Sequence, residues 1–342
     1  LIIQTAYVGD VLLVTPLIKA SHDHFPDAII DLVVIPAAAN IVETNPALHA
    51  VIVYDKRKSQ KGWRGFIRLA RHLRRSRYDM VLVPHRSLRS AALAWYSRAA
   101  IRAGFTTSSG SFLFTHRIVY HQNRHEVERN LALLEAAGIA PGWVSPEIFP
   151  SEEDRAVVDR LFTRLAAADR PLAAVAPGSM WATKRWPVQS YREMAARALA
   201  AGWSLIWVGG ESDRALCAEA SHGLTGSWVN CAGELTLRQS AELIRRADIL
   251  VTNDSAPLHL ASAVDTPAVA IFGPTVPEFG FSPSSRGSVV VQKSLPCRPC
   301  SIHGGKKCPI GTHECMTSIP PEWVLTEMTR IVVRKSENER NH

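Results

Sequence analysis

Residues 248–275 open with Asp248-Ile-Leu-Val-Thr-Asn-Asp-Ser-Ala-Pro-Leu-His259 and close on Ala270-Ile-Phe-Gly-Pro-Thr275. Two short apolar runs, Ile249–Val251 and Pro267–Phe272, flank a polar turn and the apolar segment Leu258–Val264. That spacing predicts a strand, a helix and a second strand parallel to the first. Asn253, Asp254 and Ser255 fall between strand end and helix start. Asp or Ser there can cap orphan N–H groups, and open α/β sheets hold their ligands at the same place. On residue type alone two uses stand: a cap with His259 as an interior histidine, or a site.

The same alternation extends in both directions. Leu1–Thr5 is an apolar strand, and Ala6–Asp10 a turn in which Gly9 allows a tight bend and Asp10 stands at the start of a helix over Val11–His24. A carboxylate there is favoured by the helix dipole, so Asp10 serves equally as a cap or as a base. Strands follow at Ile29–Ile35, Val51–Tyr54 and Met80–Pro84, with a basic helix over Gly62–Arg75 between the last two. His85, Arg86, Ser87 and Arg89 come directly after the fourth strand, placed to meet an anion. Asn130–Gly138 is the last helix of this half, and the proline-containing Pro141–Ser151 is the connection onward.

A second series begins with strand Leu172–Ala176 and the turn Pro177-Gly178-Ser179. Ser179, nearby backbone N–H groups, Lys184 and Arg185 form a set able to hold a diphosphate. Helix Tyr191–Ala201 and strand Ser204–Val208 lead to Gly209-Gly210-Glu211-Ser212-Asp213, where a carboxylate is placed for ribose hydroxyls. Helix Leu237–Arg246 then delivers the chain to residues 248–275. A last helix runs from Pro320 to about Val333, followed by the polar Lys335–His342, expected to be mobile. The expectation is α/β: two Rossmann-like domains, 1–150 and 151–342, facing a central cleft.

At 342 residues, with 46% hydrophobic and 20% charged residues, the chain has material for two cores. No apolar run approaches the roughly 18 residues that span a bilayer, and no leader pattern precedes the first strand, so a cytoplasmic protein is expected. The net charge of +8 is unevenly spread: ten Lys or Arg and no acid lie between Lys56 and Tyr78, and Met80 to His125 again holds no Asp or Glu. Such a field suits nucleic acid, an anionic membrane surface or an acidic substrate. No aromatic-interleaved recognition motif accompanies the cations, so nucleic acid is not expected.

Cys297-Arg-Pro-Cys300, Cys308 and Cys315 lie within 19 residues. They have the ligand count for a tetrahedral zinc or iron site, and free thiols or disulfides are the other readings, the last disfavoured in a reducing cytosol.

Three motifs in order carry a family resemblance: Gly9-Asp10-Val-Leu-Leu-Val-Thr-Pro16; Pro177-Gly-Ser179 with Thr183-Lys-Arg-Trp-Pro187; and Asn253-Asp-Ser with His259 and Phe272-Gly-Pro-Thr275. Over roughly residues 2–333 the chain resembles glycosyltransferase family 9, the ADP-heptose:lipopolysaccharide heptosyltransferases, nearest to their heptosyltransferase II branch. The resemblance implies the GT-B architecture and inverting transfer of heptose from ADP-heptose without a catalytic metal. It implies Asp10 as general base, Lys184 facing phosphate and leaving-group charge, Ser179 at the diphosphate, Asp254 at heptose hydroxyls and Asp213 at ribose. Gly178, Arg185, Ser255 and His259 then belong with the donor, and Gly9 with the acceptor.

The basic first half fits an acceptor that is an anionic lipopolysaccharide core, Kdo- and phosphate-bearing, with Arg86, Arg89, Lys61 and Arg64 as its contacts. A cytoplasmic enzyme peripheral to the inner membrane follows. Ala256 and Pro257 stand where relatives often carry glycine. The cysteine group, an insertion in some members, is expected beside the C-terminal domain and away from the reaction centre, as a structural element. Another NDP-sugar transferase or epimerase on the same fold, or a non-catalytic nucleotide-binding relic, are the alternatives.

Overall fold

The computed structural model describes residues 1–165 and 170–340. The chain divides into two compact units, Leu1–Phe149 and Pro150–His342. The first unit runs β1 (Ile2–Ile3), α1 (Val8–Leu12), α2 (Thr15–His24), β2 (Asp31–Val34), α3 (Pro36–Val42), β3 (Ala50–Val53), α4 (Gly62–Arg75), β4 (Met80–Val83), α5 (Leu88–Ser97), β5 (Ile101–Phe105), β6 (His116–Ile118) and α6 (Glu126–Leu131). Its strands form one parallel sheet in the order β3-β2-β1-β4-β5-β6.

The second unit runs α7 (Glu152–Phe162), β7 (Leu172–Ala176), α8 (Val188–Ala200), β8 (Ser204–Trp207), α9 (Arg214–Ser221), β9 (Trp228–Asn230), α10 (Leu237–Arg246), β10 (Ile249–Asn253), α11 (Ala256–Ala263), β11 (Ala268–Phe272), β12 (Val289–Gln292), α12 (Glu314–Thr317) and α13 (Pro321–Arg340). Its parallel sheet has the order β12-β11-β10-β7-β8-β9. Each unit therefore repeats the Rossmann order, and each has one place where strand order reverses, between β1 and β4 and between β7 and β10.

The central strands are largely apolar because helices cover both faces: β7, β10 and β11 are buried at every residue, with the polar Thr252 and Asn253 closing β10. Aromatic residues fill the second core, where Trp186 and Trp207 are fully buried and the Trp186 indole donates to Ile319 O at 3.1 Å. In the first unit α4 persists although its outer face carries Arg64, Arg68, Arg71, Arg74 and Arg75 and no acid. Like charges four apart cost a few tenths of a kcal/mol per pair, whereas Leu69 and Leu73, both buried, contribute about 1.5–3 kcal/mol each.

Several boundaries differ from expectation. The helix expected over Val11–His24 is two helices, α1 and α2. Asn130–Gly138 is the end of α6 followed by a 3-10 turn over Ala132–Ala137. Lys335 to Arg340, expected as mobile tail, continues α13, and residues 341–342 lie outside the described residues.

Candidate active site

At the reversal point of the second sheet, Thr252 pairs in register with Ala176, so the turn after β7 and the turn after β10 emerge side by side. Asn253, wholly buried, ties them together: its amide donates to Pro177 O at 2.8 Å and its Oδ1 accepts from Trp186 N at 3.0 Å. The second bond anchors the chain just beyond Lys184, which ends the single 3-10 turn Ala182–Lys184. Lys184 Nζ meets Asp254 Oδ2 at 2.5 Å, and Thr275 Oγ1 donates to the same oxygen at 2.6 Å. The Lys184 and Asp254 side chains are only 12% and 7% exposed.

Asp254 is thus committed to a cation rather than to capping α11. Ser255, at the N-cap, makes no side-chain cap bond either, its hydroxyl lying 3.4 Å from Thr252 Oγ1 and from Asn253 O. Ser179 is buried, and its carbonyl accepts from Arg185 Nε at 2.8 Å. Asp213 accepts from Gly210 N at 3.0 Å and lies against the first turn so closely that a Cβ on Gly178 would fall 2.4 Å from its Cγ. Only glycine leaves that carboxylate in place. His259 is buried on α11, its ring edge-on to Phe281 at 6.4 Å. An ammonium, a carboxylate and the backbone of two turns at a strand-order reversal suit a phosphate-bearing ligand. Thr275 was visible only as part of a motif, because its role depends on β11 lying next to β10.

The cysteine segment is not remote from this place. Thr183, beside Lys184, exchanges hydrogen bonds with Gly305, and its carbonyl meets His313 Nε2 at 2.7 Å. A cavity of about 110 Å³ is lined by Thr183, Cys300, Cys308, His313 and Cys315 among others. The four-cysteine metal set, Cys297, Cys300, Cys308 and Cys315, is not assembled: among the described residues no group of three or more His, Cys, Asp or Glu could hold a metal ion. Two of the sulfurs make backbone contacts. Cys300 Sγ lies 3.1 Å from Cys297 O, and Cys308 Sγ accepts from His313 N at 3.4 Å. Backbone N–H groups, first that of His313, hold the Cys308 thiol below its ordinary pKa, whereas burial pushes Cys315 up to about 11.

In the first unit β1 and β4 are neighbours, which brings the segment after β1 beside His85–Arg89. Asp10 lies in the first turn of α1 and accepts from Tyr7 N at 3.0 Å, so it does cap the helix. Gly9, expected in a tight bend, is itself helical, since α1 already begins at Val8. Close to Asp10 is the buried Glu126, which accepts from Tyr120 Oη at 2.9 Å and Arg129 Nη1 at 2.7 Å. Burial pushes the Glu126 carboxyl up, Arg129 opposes this, and the charge of Asp10 adds to the rise. Nothing in the sequence marked Glu126, which reads as an ordinary first-turn acid of a helix.

Lys56 was also missed. Its ammonium donates to Thr5 O at 2.6 Å beside His85, whose Nδ1 lies 3.0 Å from both Thr5 Oγ1 and Ser90 Oγ. Burial, with Lys56 and Arg86 close by, brings His85 down to about 4, so near neutrality it is uncharged and the positive charge of this edge sits on Lys56, Arg86 and Arg89. The Arg86 guanidinium covers the Tyr120 ring at 4.2 Å. Lys61 and Arg64 are exposed at the N-terminal end of α4, which follows β3.

Residues 66–308 match the family model described as glycosyltransferase family 9 (heptosyltransferase). The chain is 28% identical to lipopolysaccharide heptosyltransferase 2 of Salmonella typhimurium, over 96% of this chain and 97% of that protein. It is 30% identical to lipopolysaccharide heptosyltransferase 1 of Pseudomonas aeruginosa, over 88% and 85% respectively. Its fold is similar to that of the E. coli ADP-heptose lipopolysaccharide heptosyltransferase II, with a TM-score of 0.80, 24% identity and 98% of each chain covered.

Proposed function

Since the chain belongs to glycosyltransferase family 9, the heptosyltransferases, we propose that it transfers heptose from ADP-heptose to the anionic inner core of lipopolysaccharide with inversion at the anomeric carbon. The observation that carries this reading is the Lys184 ammonium held on the nearly buried Asp254 beside the Pro177-Gly178-Ser179 turn. In the step, an acceptor hydroxyl oxygen bonds to the anomeric carbon as the bond from that carbon to the ADP oxygen breaks. The hydroxyl proton passes to Asp10, and the charge appearing on the β-phosphate meets Lys184 and backbone N–H groups near Ser179.

Gly178, Arg185, Asp213, Ser255 and His259 belong with the donor in this reading: Asp213 at the ribose, Asp254 at heptose hydroxyls once the phosphate engages Lys184. Gly9, Arg86, Arg89, Lys61 and Arg64 belong with the acceptor, joined now by Lys56. The same cations fit an anionic inner-membrane surface on the cytoplasmic side, and no described helix is long and apolar enough to cross a membrane. The cysteines act as a structural element. Zinc or iron at Cys297, Cys300, Cys308 and Cys315 would require the four sulfurs to draw together, and metal analysis of the purified protein beside a Cys300→Ser variant tests for it.

The test of function is acceptor-dependent ADP release from ADP-heptose with heptose-deficient lipopolysaccharide, run with EDTA. Release that disappears in Asp10→Asn and Lys184→Ala supports the assignment. Unchanged turnover in either variant removes that residue from the mechanism.

A further inference from the structure

The cysteine segment is the motif that the transfer reaction leaves without a task, and it is built against the residue that the reaction needs most. A single 3-10 turn does not fix its own last side chain, so the anchors of Lys184 lie elsewhere. Thr183 supplies them. Its N–H donates to Gly305 O at 3.1 Å, its hydroxyl donates to the same carbonyl at 3.0 Å and accepts from Gly305 N at 2.7 Å, and its carbonyl lies 2.7 Å from His313 Nε2. Gly304, at φ +84°, lies under the lysine stem: a Cβ there would be 3.0 Å from Lys184 Cγ.

The same segment reaches the other partner of the ion pair. Cys300 N donates to Pro274 O at 2.9 Å, and the Arg298 guanidinium donates to Thr275 O at 2.7 Å and also to Gly273 O. Thr275 in turn holds Asp254. Both ends of the Lys184–Asp254 pair are therefore fastened by residues 298–313, with the thiol-lined cavity between the fastenings.

We propose that residues 297–315 form a clasp that sets the position of Lys184, with Thr183 as its positioning residue, so that donor diphosphate binding and the reactivity of Cys300 and Cys308 are coupled. The proposal rests on Lys184 being the leaving-group cation. Coupling of this kind is reciprocal: a diphosphate that fixes Lys184 also stills the clasp, and a group attached to the thiols shifts Lys184.

Two measurements test it. In steady-state kinetics, Thr183→Val, which keeps the shape and removes the hydroxyl, lowers kcat about 10-fold while KM for the donor moves much less, and Thr183→Ser stays near wild type. In the unmodified protein, saturating ADP slows labelling of Cys300 and Cys308 by 5,5′-dithiobis(2-nitrobenzoate), read residue by residue by mass spectrometry, about 5-fold. Wild-type kcat in Thr183→Val, or Thr183→Ser as impaired as the valine variant, overturns the positioning role. Labelling rates indifferent to ADP overturn the clasp, and this arm needs no variant to fold. A Lys184→Ala enzyme with unaltered turnover would instead remove the leaving-group assignment, leaving the labelling result to judge the coupling by itself.

Discussion

Replacing Lys184 with methionine keeps most of the side-chain stem and takes the ammonium away from Asp254. With the two side chains 12% and 7% exposed, water cannot replace the lost cation, and the Thr275 hydroxyl, already bonded to the carboxylate, brings no charge. Removing one member of a buried pair costs about 3–5 kcal/mol, and the lysine's partial exposure puts the expectation at the lower end, about 3 kcal/mol. With a urea m-value of about 2 kcal/mol/M, the midpoint for the second unit, followed by tryptophan fluorescence after Trp63, Trp95 and Trp143 of the first unit are replaced by phenylalanine, falls by about 1.5 M. The companion variant Lys184→Met with Asp254→Leu removes both charges and recovers most of the loss, because apolar replacement of a whole buried pair is often neutral or stabilising. Coincident wild-type and Lys184→Met midpoints at pH 7 would refute the reasoning, since the carboxylate would then not depend on its cation.

Asn253→Ala leaves Pro177 O and Trp186 N without their partner in a wholly buried place, an expected loss of about 3 kcal/mol seen as a lowered Tm; a Tm within a degree of wild type contradicts the cross-tie. His85 binds its proton more weakly in the folded state, at about 4, than in the unfolded chain, at about 6.5. Between those values the unfolded chain holds the extra proton, so stability is level above about pH 6.5 and falls by up to about 3 kcal/mol as pH drops towards 4. His85→Gln flattens that part of the stability profile, and an unchanged slope rules His85 out as its source.

The central strands were legible because burial on both faces writes them as apolar runs, and β7 has the bounds expected from sequence; helices α4 and α10 do so too, by their helical spacing of apolar residues. The far edge of the first sheet was not legible. β5 carries Arg102 and Gly104, and the three-residue β6 is His116-Arg-Ile, so neither shows an apolar run. α7, which starts directly after the connection Pro141–Ser151, was masked by its polar first turn. In the site, position after a strand pointed to Asp254 and Lys184 separately, but their pairing joins residues 70 apart in the chain, which no local pattern encodes. The cysteine group was expected away from the reaction centre for the same reason: its approach to Thr183 is made entirely by contacts across more than a hundred residues.

The two reversal points have a consequence for how the protein becomes active. In each sheet every pairing joins consecutive strands except β1 with β4 and β7 with β10. Those two seams close the longest loops in their sheets, and closing them brings together strands whose intervening chain must already be arranged. The residues that would bind and react stand at the ends of those same seams, so a nascent or partly unfolded chain with most of its helices in place has neither set of residues assembled. Regain of donor binding during refolding should therefore trail the recovery of helical signal, and activity reports the last long-range step of assembly rather than the first collapse.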